Sequence, residues 1–567
     1  MRASALLLAV SVIAACSEPE TEAVGLTLEL VSGATGSCAA AHPTEALAKA
    51  GAAKLRLTLL RSAASGPPSL ECDRVVDLTA KEADLTLDVD PSAAVDLLVE
   101  AFSADAPPRL LASGLLVNIN ARPRLRPLRL QLVRSERFSC TPGPLITPRG
   151  FHSATALPDG RVLLLGGLTQ STDGLRALDS AELFDPRSGR FVSVAGKLSR
   201  PRALHSALLL DGERGGPYDL LLVGGLAPAK PDAAAARLGI AGDALPLVPA
   251  DDALAPPSVV VRFYPAAEPP RIEELSASPQ LAGRVFHGVG QAQGGGVVVL
   301  GGLRGYSKGR PSTVDALEVL PAAGESTHLG PYPLQRSRVG AAAGAAGSDG
   351  VLVFGGNMDS TAASLSSEAA ELVTLDAQGA SSKLLTMESG SASLVQPTVF
   401  STLTPLSDGS LLLAGGLQLE PGQARRLRDD RPVQRLSLVG GDLRVSDVAS
   451  ASFTPVALHG ATAQPDGSVL LVGGLAEPAA CAADRLVCDK GWRYDPDKET
   501  LSAVEPLHHG RIGHGLTWLP GDTLLVTGGL SVTGSAAEAL GSAELSARRG
   551  KDPFGRTPGA AGKSGCD

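Results

Sequence analysis

The sequence predicts an all-β chain: a seven-bladed β-propeller preceded by a small Ig-like β-sandwich. Three observations carry this. A short apolar run ends in a Gly-Gly pair seven times, at Gly166-Gly167, Gly224-Gly225, Gly301-Gly302, Gly355-Gly356, Gly415-Gly416, Gly473-Gly474 and Gly528-Gly529, at spacings of 54 to 77 residues. Self-similarity near a 50-residue period marks a repeat architecture. Within four copies an Asp-Gly pair (Asp159-Gly160, Asp349-Gly350, Asp408-Gly409, Asp466-Gly467) separates two apolar runs, and Asp-Gly suits the positive φ of a tight hairpin turn. No helical periodicity interrupts the pattern.

The first element is a leader. Met1-Arg2 precedes the apolar run Ala3 to Ala15 and then Cys16. One basic residue before a run this short fits an export signal and is too short to span a bilayer. The segment Ile13-Ala14-Ala15-Cys16 resembles a bacterial lipobox, which implies cleavage before Cys16 and lipidation of its thiol. Residues 1–15 are thus expected as signal peptide and 16–23 as a short acidic tether. Ser17 beside the Cys resembles the pattern sent on to the outer membrane. The expected location is the bacterial envelope, with the membrane as partner through Cys16.

Residues 24–135 lack the repeat. Gly25–Val31, Lys54–Leu60, Arg74–Leu78, Asp84–Val89, Val95–Phe102, Arg109–Ile119 and Leu125–Val133 read as short strands between Gly, Pro, Ser and Asp clusters, the spacing of a β-sandwich. Six cysteines remain after Cys16, an even number in an exported chain, which suggests disulfides. Locality favours Cys38 with Cys72 and Cys481 with Cys488, leaving Cys140 with Cys566.

Residues 136–548 hold the repeat, and 549–567 form a Gly-rich tail. Each repeat reads as four antiparallel strands, the third ending in an aromatic in blades I (Phe184), II (Tyr264) and VI (Tyr494). Phe191, in strand four of blade I, stands 14 residues before His205, and Phe138 stands 14 residues before His152. Glu136-Arg-Phe-Ser-Cys140 therefore reads as an orphan fourth strand that completes blade VII and removes an edge.

The Gly-Gly pair, the Asp-Gly turn, the strand-three aromatic and an Arg-x-x-His before the first strand resemble the kelch repeat family, also seen in galactose-oxidase-like propellers. The chain departs from it in the usual late Trp: Trp492 and Trp518 lie elsewhere. The resemblance implies a propeller fold. It also admits an enzyme, either a glycan-processing one like periplasmic kelch sugar epimerases or a degenerate relative of the oxidases.

Counting back from the glycines aligns two polar columns: Arg149, Arg202, Arg284, Arg338 and Arg511, and three residues later His152, His205, His287, His459 and His514. Blades IV and V carry Ala341 and Ser401 for the His, and blades V and VI carry Thr398 and Val456 for the Arg. Topology puts both columns on the face that bears the strand two-to-three loops, where the insertions are (about 227–257, 418–432 and 476–490). Two readings follow. The arginines bind an anionic glycan or peptide carboxylate across the channel mouth, or each Arg and His satisfies carbonyls of a neighbouring blade. No metal set is expected, because a tetrahedral site needs convergent ligands, not a ring of them. No cofactor is expected and no catalytic residue stands out. The net charge of −9 argues against nucleic acid as a partner. The functional expectation is a non-catalytic binding or scaffolding propeller for a protein or glycan ligand.

Overall fold

The computed structural model describes residues 7–12, 24–32, 52–61, 69–77, 94–120 and 128–547, apart from 173, 212–215, 229–233, 239–246, 250–254, 276–280, 308–309, 321–329, 357–368, 377–378, 419–425, 429–430, 451, 478–479, 482–485 and 534–535. Every element among the described residues is a strand. The expected strand Asp84–Val89, the tail 549–567, and Cys16, Cys38 and Cys566 lie outside them, as does the Cys72 side chain.

The second strand of each blade explains the architecture. Val162–Leu165, Tyr218–Val223, Val297–Leu300, Gly350–Phe354, Leu411–Ala414, Val469–Val472 and Thr523–Thr527 are apolar almost without interruption and almost wholly buried. A strand alternates its side chains between two faces, so a continuous apolar run needs both faces covered. In blade I, Leu163 and Leu165 join a cluster with Leu220 and Leu222 of blade II. Val162 and Leu164 join Leu525 and Leu545 of blade VII on the other side. The five remaining seams, II–III through VI–VII, each have an apolar cluster of their own. Seven four-stranded antiparallel sheets thus pack face to face around a closed ring.

Blade VII closes as the sequence predicts. Ser139–Cys140 pairs with Ala543–Ala547, Glu544 opposite Cys140 and Leu545 opposite Ser139. Cys140 is disulfide-bonded; its expected partner, Cys566, falls outside the described residues.

Strands Leu7–Val12, Val24–Ser32, Ala52–Arg61, Ser69–Asp77, Ala94–Ser103, Leu110–Asn120 and Leu128–Arg134 make the N-terminal β-domain. Leu128–Leu132 runs parallel to Val24–Ser32, and the same strand turns to pair with Leu110–Asn120 through Val133 and Arg134. Leu7–Val12, within the expected leader, pairs as the outermost strand of this sheet. The domain runs straight into the ring: Ser135 bridges Ala547, and the Glu136 N–H donates to the Ala547 carbonyl at 3.2 Å.

Loops between strands two and three stack a second tier on one face. Leu168–Ser171 and Gly174–Ala177 of blade I join Ala236–Leu238 and Leu247–Pro249 of blade II in one sheet. Leu303–Ser307 with Arg310–Thr313, and Leu530–Thr533 with Ala536–Ala539, form hairpins in blades III and VII. In blade VI the Cys481–Cys488 disulfide, Cα atoms 5.1 Å apart, ties the loop as locality predicts.

Candidate functional site

The aligned columns sit in the seams between blades and do not line an open mouth. Arg149, Arg202, Arg284, Arg338 and Arg511 are each at most 2% exposed. In four blades the guanidinium meets a buried glutamate from the start of strand three: Glu182 (2.7 Å from Arg149), Glu318 with Arg284, Glu371 (2.9 Å from Arg338) and Glu544 with Arg511. Arg Nη1 also donates to the carbonyl of the first glycine of its own blade: Gly166, Gly301, Gly355 and Gly528. The same glutamates accept N–H bonds from the lead-in loop, at Ile146 and Thr147, Ala282, Gln335 and His508. Each unit staples the lead-in, the Gly-Gly bend and strand three of one blade.

The glycine pair is the other half of the seam. In all seven seams the second glycine's N–H donates to the carbonyl at the Arg position of the next blade, from Gly167 to Arg202 (2.9 Å) round to Gly529 and Arg149 (2.8 Å). A Cβ on the first glycine would stand 2.1–2.7 Å from that same carbonyl oxygen. Both glycines have positive φ, which residues with a Cβ adopt only with strain.

The histidines bridge seams as well. Nε2 of His205 meets Ser153 Oγ, Nε2 of His287 meets Ser206 Oγ, and Nε2 of His459 meets Thr402 Oγ1, all within 3.0 Å and each hydroxyl at the first position of the preceding blade's inner strand. Where that position is Gly288 or Ala342, the next blade has Ala341 or Ser401 and no histidine. His152 turns to Thr527 instead, because Gly515 offers no hydroxyl. His514 faces Gly460 and makes no hydrogen bond through either ring nitrogen. The expectation of a polar mouth built from these ten residues is therefore corrected. The arginines bond within their own blade, and the histidines other than His514 reach hydroxyls of an adjacent blade, where the alternative reading had neighbouring carbonyls for both.

The mouth itself is filled by a column the sequence reading missed. The residue before each His position has φ between 54° and 70°: Phe151, Leu204, Phe286, Gly340, Phe400, Leu458 and Gly513. The N–H of one donates to the carbonyl of the last, as from Phe151 to Gly513 (2.6 Å), Leu204 to Phe151 and Phe400 to Gly340. The left-handed turn aims the side chains at the axis. There they form one apolar cluster with Leu168, Leu226, Leu303, Leu417, Leu475 and Leu530 from the loop tier. The clue was a bulky apolar residue just before the His position in five blades, four of which carry the His itself. The glutamate column was also readable: Glu stands second or third in strand three wherever Arg is present, except in blade II.

Burial sets the histidine chemistry. Loss of hydration, reinforced by a nearby Arg, pushes His205, His459 and His514 down to about 3 and His287 to about 4; His152 moves the same way. Their ordinary value is 6.5, so between pH 6.5 and those values the unfolded chain binds protons that the folded one refuses. Stability is then fully present above pH 6.5 and falls as the pH drops through this window, by about 1.4 kcal/mol per pH unit for each fully neutral histidine. Acid titration followed by circular dichroism should show cooperative unfolding above pH 4 coupled to uptake of several protons. A transition below pH 3 would refute this.

No family model and no curated protein matches the sequence. Among solved structures the chain is similar to a fungal alcohol oxidase of the AA5 family in complex with copper, at 15% identity and a TM-score of 0.48, over 73% of this chain and 77% of that one. The fold of the described residues is all-β. The functional expectation is a non-catalytic binding or scaffolding propeller; the protein in this similarity is an enzyme, an alcohol oxidase. Copper does not fit the side chains present. Among the described residues no three His, Cys, Asp or Glu side chains converge on one point. The five column histidines lie in five different seams, and Tyr218, Tyr264, Tyr332 and Tyr494 belong to strands of blades II, III and VI, away from them.

Proposed function

We propose that this chain is an enzyme of the cell envelope, tethered through Cys16, that acts on a hydroxyl-bearing, carbohydrate-like substrate from the loop-bearing face of the propeller, without a copper centre. One observation carries the reading: the tier of loops differs from blade to blade more than the ring does. Within the ring the glycine pair makes the same bond in all seven seams and the Arg–Glu pair recurs in four blades. A reaction needs groups that differ from one another, and here those stand on the loops of blades I, II, III, V, VI and VII, held by a rigid scaffold. The resemblance of the repeat to kelch sugar-processing propellers supports the substrate class, and the lipobox-like Ile13–Cys16 supports the location.

The test is turnover by the purified full-length protein of a panel of oligosaccharides, acidic sugars and primary alcohols, read by mass spectrometry and NMR. Turnover that survives chelation and is lost when the blade III hairpin (Leu303–Ser307 with Arg310–Thr313) becomes a Gly-Ser turn is the expected result. No turnover of any member, or turnover that requires added copper, overturns the reading.

A further inference from the structure

Blade II keeps its buried arginine but not the glutamate. In blades I, III, IV and VII the Arg is matched by Glu182, Glu318, Glu371 and Glu544. Blade V replaces both partners, with Thr398 and Gln434, and blade VI with Val456 and Trp492. In those two blades cation and carboxylate leave together. Blade II alone breaks the rule: pairing of Leu222 with Val259, as of Leu164 with Glu182, puts Val259 where the carboxylate belongs.

Arg202 is 2% exposed, yet only its Nη1 is engaged, donating to the carbonyls of Gly224 and Pro257 at 3.3 Å each. Nε is buried with no hydrogen-bond partner. The carboxylate that acts on Arg202 electrostatically is Glu274, on strand four, whose Oε1 accepts the Ser199 N–H at 2.9 Å. That bond is the counterpart of the one from Ile146 to Glu182, three residues before the arginine in each case. Glu274 thus takes over the backbone half of the missing glutamate's role and forms no ion pair with Arg202. The cost of leaving a buried cation unmatched is large, and desolvation already lowers Arg202 to about 10.

We propose that Arg202 is a binding site for one carboxylate group of a small-molecule ligand, which occupies the space between Val259 and the guanidinium where sister blades place a glutamate. A valine lacks the Cδ carboxylate of a glutamate, so the group that sister blades bring to the arginine is missing here. A bidentate carboxylate on Nε and Nη2 completes the donor set. The site lies on the loop-bearing face, beside Pro257. It does not depend on the chain being an enzyme, and its test contains no turnover measurement.

The test uses acetate as probe, with chloride at equal ionic strength as reference, on the full-length protein near pH 7.5. Thermal unfolding of the wild type should shift upward with acetate. Arg202→Met should abolish the shift. Val259→Glu should abolish it too and raise the melting temperature in chloride, because the chain then supplies its own carboxylate. Isotope-labelled acetate should show line broadening with wild type and not with Val259→Glu, whose higher melting temperature in chloride reports that it is folded. An equal acetate response in all three proteins overturns the proposal. So does a response that appears only in Glu274→Gln, which would make Glu274 the resident partner.

Discussion

Gly301→Ala should leave little folded protein. At φ +60° the new Cβ would stand 2.1 Å from the Arg338 carbonyl oxygen, a backbone atom with nowhere to go. That oxygen also accepts the Gly302 N–H at 2.7 Å, so relieving the clash breaks the bond that joins blades III and IV. The left-handed conformation alone costs a residue with a Cβ about 1–2 kcal/mol, and prising open a packed seam adds several more, for a loss above about 4 kcal/mol. Gly409→Ala separates the two terms. Its φ is +84°, but nothing lies within 4 Å of the added carbon. It should lose only the conformational part, about 1–2 kcal/mol. Chemical denaturation of the two variants measures the difference; equal losses would mean the seam contact is not what fixes the glycine.

The second large effect is at the buried pair of Arg338 and Glu371, neither of them exposed. Replacing either with Ala strands the other charge and should cost about 3–5 kcal/mol. The chain itself offers the remedy. Blade V uses Thr398 and Gln434, and Gln434 Oε1 accepts the Val395 N–H just as Glu371 accepts that of Gln335. Arg338→Thr combined with Glu371→Gln should therefore lose less than the sum of its two single changes, with a coupling of about 1–3 kcal/mol. Additive losses in a double-mutant cycle would show that the two side chains act separately.

The ring was legible because its cause is local. A continuous apolar strand, a glycine pair and an Asp-Gly turn each dictate backbone geometry within a few residues, and repetition multiplied a weak signal. The closing strand was legible for the same reason: Phe138 and Phe191 share one register. The candidate site was not. Arg149 and Glu182 lie 33 residues apart, and His205 and Ser153 52 apart. Their pairing exists only once strands are stacked, so the polar columns could be aligned but not assigned a direction. An arginine repeated in five blades looks like a binding ring until its glutamate is seen. Blade II shows what the sequence does hold, a cation whose expected partner is valine, but that absence has meaning only beside the four blades where the pair is complete.

Ring closure also sets an order of events. Thr141 Oγ1 donates to the Ala543 carbonyl across 402 residues of chain. The strand that finishes the last blade is made before any of the seven sheets it will seal, and must wait for the final strand of the propeller to be synthesised. Until then blade VII lacks its outer edge and blade I its neighbour, each presenting apolar strand surface to whatever is near. Assembly so dependent on distant contacts is slow and open to mispairing.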